Sequence, residues 1–315
     1  MTELNIALGA MEYGTRIDEK TSFALLDAYV DAGGVWIDTA NCYAFWQHES
    51  GHGGQSEELL GRWFAARPGV RDRIKLATKV GCEPLWPGSY PEKSEGLSAK
   101  AIDAALETSL RRLGIDHIDL YFAHRDDRET PLEETVGAFG KHVAAGKVGR
   151  IGLSNYALWR VERMRGLAEQ QGVEAPTALQ LRYSYVQPRP FVRAQAHGHR
   201  FGWITDEVLD YAELNPDQQL FAYSPLMSGG YERPDRPFHE AFTHPGTTRR
   251  LEALTKVATE LAVTPSEVVI AWLTGATPTI TPIIGISTPT YLTTALAGAA
   301  LTLPAELRSL LDQAW

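Results

Sequence analysis

Short apolar runs alternate along the chain with stretches whose apolar positions recur at helical spacing. Eight runs have the length and flanks of buried strands, at 5–8, 35–38, 74–79, 118–123, 151–154, 178–181, 219–223 and 282–285. Between them the spacing predicts helices, most clearly over 98–113, where Ile102, Leu106, Leu110 and Leu113 share one face. Ser98 is placed to cap that helix and Gly114 to end it. Similar patterns cover about 21–32, 56–66, 133–145, 157–170, 204–213, 248–261 and 265–273. In Thr130-Pro131 and Thr264-Pro265 a proline stands at a first helical position, where its missing N–H costs little.

Strands alternating with helices imply parallel pairing. Eight such units predict α/β architecture closed into one (β/α)8 TIM barrel, a single domain over 1–315. An open doubly wound sheet would want a Gly-x-Gly-x-x-Gly turn after the first strand, and "ALGAMEYG" does not supply it. Four long irregular segments follow strands, at 44–55, 81–97, 183–202 and 225–247. In a barrel these long βα loops gather at the C-terminal face, where active sites sit. They carry Phe45, Trp46, Trp86, Tyr90, Tyr231, Phe238 and Phe242, the material of a pocket wall.

Composition narrows the partners. Apolar (44%) and charged (22%) fractions are those of an ordinary globular protein. A net charge of −9 argues against nucleic acid or an anionic membrane surface, although a local basic pocket can still take an anionic ligand. Cys42 and Cys82 are too few for a disulfide framework and read as reduced thiols. "MTELNIALGA" lacks the charged and apolar regions of a signal peptide, and no apolar run approaches a membrane span. The expectation is a soluble cytoplasmic protein; the sequence chooses neither a monomer nor a homo-oligomer.

Four polar residues stand at or just beyond the ends of strands two to four: Asp38, Tyr43, Lys79 and His124. Singly, each has an ordinary structural explanation. On neighbouring strands at one barrel end they form an acid/base device. A phenol titrates near pH 10, a lysine ammonium beside it favours the phenolate, and a buried aspartate keeps that lysine charged. A histidine within reach orients a carbonyl oxygen or relays a proton.

The segments "IDTANCY", "LATKVG", "LYFAHRDD", "GRIGLSNY", "ALQLRYS" and "FAYSPLMSGG" occur in the order found in aldo-keto reductases, and the chain resembles that family from "LGAMEYG" to "PIIGIS". The resemblance implies a barrel that reduces aldehydes or ketones with NADPH, without metal. It places the family's catalytic tetrad on Asp38, Tyr43, Lys79 and His124, with Tyr43 as proton donor. It also implies that Ser154, Asn155 and Gln180 hold the nicotinamide carboxamide and that Tyr223 stacks on the nicotinamide ring. Ser224, Leu226 and Gly229 would cradle the pyrophosphate. For Ser154 and Asn155, capping of the helix before "ALWRVERM" is the competing explanation.

Two departures stand out. After the last strand the family shows a Gly-Ala-Arg-Thr segment, then Gln or Glu and Asn, which hold the 2′-phosphate and adenine. Here Gly285 is followed by Ser287 at the Arg position, Tyr291 at the Gln position and Ala295 at the Asn position. Ser287 and Thr288 can donate hydrogen bonds but not a guanidinium's bidentate grip, which leaves NADH open beside NADPH. Arg249 and Arg250 are candidate substitutes, though surface solvation is the readier role for both. The second departure is "AFWQHESGHGGQ" after Tyr43, which is expected to build a substrate wall with Phe45 and Trp46, Trp86 and Tyr231 supplying others. His48, Glu49 and His52 lack the spacing of a standard metal site. An aromatic mouth suits a sugar, an aryl aldehyde or a cyclic ketone.

Two further readings compete with a carbonyl reductase. A redox-sensing accessory subunit would bind the cofactor with little turnover. An isomerase or aldolase would use Lys79 as a Schiff-base nucleophile but leave "GLSN" and "AYSPL" without a task.

Overall fold

The computed structural model describes residues 4–190 and 201–314. Eight parallel strands close into a barrel in sequence order: β1 (Ala7–Gly9), β2 (Trp36–Asp38), β3 (Lys75–Val80), β4 (Ile118–Ala123), β5 (Val148–Ser154), β6 (Ala178–Arg182), β7 (Gln219–Tyr223) and β8 (Ile280–Gly285). Closure is made by β1 against β8, where Gly9 stands beside Gly285. Each of the eight expected runs contains or overlaps one of these strands. The closed order excludes the doubly wound alternative.

The helices lie outside: α1 (Glu19–Asp31), α2 (Gln55–Ala66), α3 (Ala99–Leu113), α4 (Leu132–Ala144), α5 (Leu158–Gln171), α6 (Asp206–Leu214), α7 (Pro245–Leu261), α8 (Pro265–Thr274), α9 (Pro289–Ala300) and α10 (Ala305–Asp312). Local chemistry sets their ends. Ser98 accepts from Ala101 N at 3.3 Å, and Gly114 leaves α3 with φ +65°. Thr264 and Glu267 form a reciprocal capping box on α8. The helices α9 and α10 are absent from the sequence expectation. The first, "PTYLTTALAGAA", holds three threonines and a glycine beside four alanines, and its apolar residues form no marked stripe. Its buried residues are Leu292, Ala295 and Gly298, and Gly298 lets it lie close on α8, where a Cβ would stand 2.8 Å from Ile270. No single helix among the described residues is long and apolar enough to cross a membrane.

Two layers of apolar packing hold this arrangement. Outward-facing strand residues such as Ile37, Leu76, Tyr121, Leu153 and Leu179 pack against the helices. Ala7, Trp36, Ala77, Leu120, Phe122, Ala178, Phe221 and Ile283 fill the barrel axis. Trp36 and Phe122 both meet Phe221 edge-on, at 5.2 and 6.1 Å between centroids. Gly152 is required beside them, since a Cβ there would stand 2.3 Å from the Phe122 ring.

Of the long segments, 44–55, 81–97 and 225–247 are described in full. Residues 191–200 of the expected 183–202 loop lie outside the described residues. Loop 81–97 is organised around Glu95, which accepts from Asn41 Nδ2 at 2.8 Å, Gly81 N at 2.7 Å and Glu83 N at 3.3 Å. Burial raises its carboxyl from 4.5 to about 7, against the pull of those hydrogen bonds. The fold thus holds this proton more tightly than the unfolded chain does. Stability is full below the unfolded value and falls as pH rises through the folded one. Thermal melts between about pH 5 and about pH 8 should show a smaller fall for Glu95→Gln, which keeps an acceptor oxygen for the same donors. Parallel curves for the two proteins would place the pH dependence elsewhere.

Candidate active site

Side chains in a strand alternate between its two faces, so each residue two positions beyond the axial layer also faces inward. From Ala7, Trp36, Ala77, Ala178, Phe221 and Ile283 that step reaches Gly9, Asp38, Lys79, Gln180, Tyr223 and Gly285. From Phe122 it reaches His124, whose N–H continues the ladder to Val80 O at 2.8 Å. From Gly152 it reaches Ser154. The upper layer of the barrel is therefore polar or glycine on all eight strands, directly above an apolar floor.

In this layer Lys79 is fully buried and Asp38 nearly so. Lys79 Nζ donates to Asp38 Oδ1 at 2.6 Å, to Thr39 O at 2.7 Å and to Tyr43 Oη at 2.9 Å. Tyr43 Oη is 3.5 Å from Asp38 Oδ1, and Gln180 Nε2 donates to Asp38 Oδ2 at 2.8 Å. His124 lies edge-on to Tyr43, with ring centroids 5.7 Å apart. Its Nδ1 meets Cys42 Sγ at 3.5 Å, and the ring also hydrogen-bonds the Cys82 thiol.

The electrostatics amend one sequence expectation. Lys79 beside the phenol was expected to favour the phenolate. Burial instead pushes the Tyr43 phenol well up, and the Asp38 carboxylate adds to the rise. Burial also pulls the Lys79 ammonium below its ordinary value, with Asp38 opposing. The aspartate spends the lysine's charge, and desolvation then decides the sign for the phenol. The arrangement keeps a proton on Tyr43 throughout neutral pH.

Above the layer opens a cavity of about 580 Å³. Asp38, Tyr43 and His124 form one end of its floor. Phe45, Trp46, Tyr90, Cys42, Cys82 and Arg125 stand around them. The other end runs past Tyr223 to Ser224–Gly229, Gly285–Ser287 and Tyr291.

The aldo/keto reductase family model matches residues 5–315. The chain belongs to this family. An uncharacterized oxidoreductase, YrpG, of Bacillus subtilis is 32% identical over 98% of the chain and 90% of its own length. Norsolorinic acid reductase stcV of Emericella nidulans is 31% identical, covering 90% of the chain and 70% of the relative. Human aflatoxin B1 aldehyde reductase member 4 is 38% identical over 56% of the chain and 48% of its own length. The protein is an NAD(P)H-dependent carbonyl-reducing enzyme.

The cavity of this reductase fits a dinucleotide on several counts. Ser224, Met227 and Ser228 all have left-handed backbones, with φ +55°, +50° and +57°, and Gly229 follows at +88°. Such strain persists where surroundings impose it, and the turn is tied internally, Met227 N donating to Ser224 O at 3.3 Å and Gly229 N to Leu226 O at 2.9 Å. Gly285 has nothing within 4 Å of where a Cβ would stand, so β8 ends in open space. Ser154, Gln180 and Tyr223 border the same space, as do Ser287 and Leu226.

Asn155, with φ +61°, gives both Nδ2 hydrogens to the protein, to His124 O at 3.1 Å and Ser154 Oγ at 3.0 Å. Its Oδ1 accepts from Tyr223 Oη at 2.8 Å. It braces the wall with one acceptor position to spare. Capping is excluded for Ser154 and Asn155, because α5 begins after Ala157 with no side-chain cap. Thr288 is not on the cavity; its hydroxyl caps α9 by accepting from Tyr291 N at 3.3 Å.

Three sequence expectations are corrected by placement. Trp86 is 55% exposed and outside the cavity. A turn closed by Ser89 N to Trp86 O at 3.0 Å, with Gly88 at φ +82°, leaves it outside, and Tyr90 takes the inward position, 5.2 Å from Phe45. Tyr231 packs under its own loop, its ring 5.6 Å from Phe238 and its hydroxyl accepting from Val186 N at 3.3 Å. Arg249 and Arg250 do not reach the cavity, and Arg250 is buried with its guanidinium 4.8 Å over the Tyr185 ring. His48 Nδ1 contacts Ser50 Oγ at 2.8 Å and His52 Nδ1 contacts Glu83 Oε1 at 3.0 Å.

Sequence reasoning missed the cavity's cations. Arg16, Arg125, Arg233 and Arg236 all line it. Nothing in their spacing marks them, although Arg233 and Arg236 lie in the loop after β7, already singled out for its length.

Proposed function

We propose that the enzyme reduces a small aldehyde or ketone, with Tyr43 as proton donor and NADPH as preferred cofactor. The observation that carries the reading is the Tyr43 hydroxyl held 2.9 Å from a buried Lys79 at the floor of the cavity. Hydride for the carbonyl carbon is the chemistry a bound reduced nicotinamide supplies. His124 Nε2 orients the carbonyl oxygen beside Tyr43, and the phenol gives its proton to that oxygen as negative charge develops on it. Lys79 then faces the emerging phenolate and stabilises it, and Asp38 and Gln180 keep Lys79 aimed. Because Lys79 has given its three N–H groups to Asp38, Thr39 and Tyr43, it does not serve as an amine nucleophile. Ser154 and Gln180 would hold the carboxamide, Tyr223 would support the ring, and the Ser224–Gly229 turn would hold the pyrophosphate.

Arg233 and Arg236 support the NADPH preference. They border the cavity beside Ser287 and Tyr291, where the family arginine is replaced. Arg233 is paired with Asp235, and Arg236 acts on the same carboxylate without a direct ion pair among the described residues. Among the relatives, a Schizosaccharomyces pombe aldo-keto reductase carries NADP(+) in its name and another relative is named for an aldehyde.

The test is an initial-rate comparison of NADPH with NADH on sugars, aryl aldehydes and ketones. It is joined by fluorescence titration of both cofactors against Arg236→Gln. A charge-assisted contact is worth about 1.5–3 kcal/mol, so NADPH affinity should fall by roughly tenfold or more, with NADH unchanged. Equal affinities for the two cofactors in the unaltered enzyme would remove the preference from the reading. Absence of turnover on the whole panel would remove the reductase assignment.

A further inference from the structure

The cations on the cavity differ in how they are compensated. Arg16 pairs with Glu12 at 3.2 Å, and Arg233 with Asp235 at 2.5 Å. Arg236 also lines the cavity, where Arg233 meets the Tyr291 hydroxyl. Arg125 alone stands at the end where the carbonyl is reduced, next to His124 and beside Tyr90, Cys82 and Phe45. Half-buried, it donates to two neutral oxygens, Pro91 O at 3.2 Å and Ser94 Oγ at 2.9 Å, with its guanidinium 5.5 Å over the Tyr90 ring.

No carboxylate among the described residues pairs with it, and the acidic neighbours are committed elsewhere. Asp126 pairs with Arg128 and Arg160. Asp127 accepts from Leu97 N and Thr130 Oγ1. Glu83 takes His52 and Gly53 N, and Glu95 takes Asn41 and Gly81 N. A partly buried charge without a counter-ion is unfavourable. Here two neutral oxygens and Tyr90, by its ring and its hydroxyl, hold it in place while part of its donor fork stays uncommitted. That is a preorganised half of a carboxylate clamp, walled by Phe45, Trp46 and Tyr90.

We propose that Arg125 selects the substrate: a flat, ring-bearing aldehyde or ketone that carries a carboxylate on the side away from its carbonyl. This rests on the reductase reading above. The carboxylate docks on the free edge of the guanidinium, the ring lies against the aromatic wall, and the carbonyl is thereby turned toward Tyr43 and His124. Arg125 is thus a specificity residue, and its contribution falls in KM rather than in kcat.

The probe pair is 4-carboxybenzaldehyde and methyl 4-formylbenzoate, alike in ring and carbonyl but differing in charge. The enzyme should prefer the carboxylate by about tenfold or more in kcat/KM, the equivalent of about 1.4 kcal/mol, with the gain in KM. Arg125→Gln should erase the preference while ester turnover and cofactor affinity change little, and Arg125→Lys should restore part of it. Raising ionic strength should weaken the preference, because a half-exposed ion contact is screened. Two controls separate charge from loop support. Ser94→Ala removes one tie of the guanidinium, and Cys82→Ser removes the neighbouring thiol, which a hydrogen bond from Cys42, with His124 and Arg125 nearby, holds below its ordinary range; both should keep the preference. Equal use of acid and ester by the unaltered enzyme would overturn the proposal and leave the reductase reading intact. So would an Arg125→Gln enzyme that loses both substrates equally. Failure to reduce either compound or any neutral carbonyl would instead overturn the reductase reading.

Discussion

Tyr43→Phe is expected to lower kcat for carbonyl reduction by on the order of 10²–10⁴-fold, the usual worth of a positioned proton donor. The substitution removes one oxygen from the cavity floor and no packing volume. Cofactor affinity should therefore stay within a few fold by fluorescence titration. The sign of the phenol shift sharpens the test. Burial and Asp38 hold the proton on Tyr43 well above its ordinary range, so the unaltered enzyme should show no loss of reductive kcat from phenol ionisation anywhere near neutral pH. An inflection near neutrality that vanished in Tyr43→Phe would mean the phenol titrates there, against the desolvation argument. Unchanged turnover in the variant would sink the assignment of the donor.

The second large effect concerns stability as well as rate. Lys79→Met leaves Asp38, 3% exposed, with Gln180 as its remaining strong donor. Breaking a buried pair by removing one partner costs about 3–5 kcal/mol, so denaturant melts should show a much reduced midpoint. The double variant Lys79→Met, Asp38→Asn removes both charges and should recover most of that loss. It should not recover activity, because the phenolate formed after proton transfer would still lack its cation. Additive losses in the double variant would show that the two residues are not coupled, and full activity in either variant would show that the pair serves only the fold.

Much of this site was legible in the sequence, for a reason that lies in strand geometry. Asp38, Lys79 and His124 sit two residues beyond Trp36, Ala77 and Phe122, and a period of two puts both sets on one face. A polar residue that ends an apolar run on three successive strands is therefore also a polar residue in one layer of the barrel. Tyr43 is less constrained, since it lies five residues past Asp38 on a loop. The sequence marked it as a polar residue just beyond strand two, and the resemblance gave it the role of proton donor. The helix α9 was not legible, because its apolar residues form no marked stripe and its seat on α8 is a tertiary contact.

The loops were legible as loops but not in their orientation. Nothing in "EPLWPGSYPEKSEG" says that Tyr90 rather than Trp86 faces inward; a turn at Trp86–Ser89 and the contact of Tyr90 with Phe45 decide it. Arg250, read as a surface residue, is buried over Tyr185, while Arg125, read only as part of a motif, borders the cavity with no carboxylate paired to it among the described residues.

By itself, then, the sequence determined the eight strands, the polar residues that end strands two to four and the family, since these rest on local periodicity and on motifs contiguous in the chain. Tertiary structure decided which loop aromatics and arginines face the cavity and whether Tyr43 is drawn toward phenol or phenolate. Those outcomes depend on burial and on charges from segments far apart in sequence, and desolvation belongs to the assembled fold rather than to any stretch of chain.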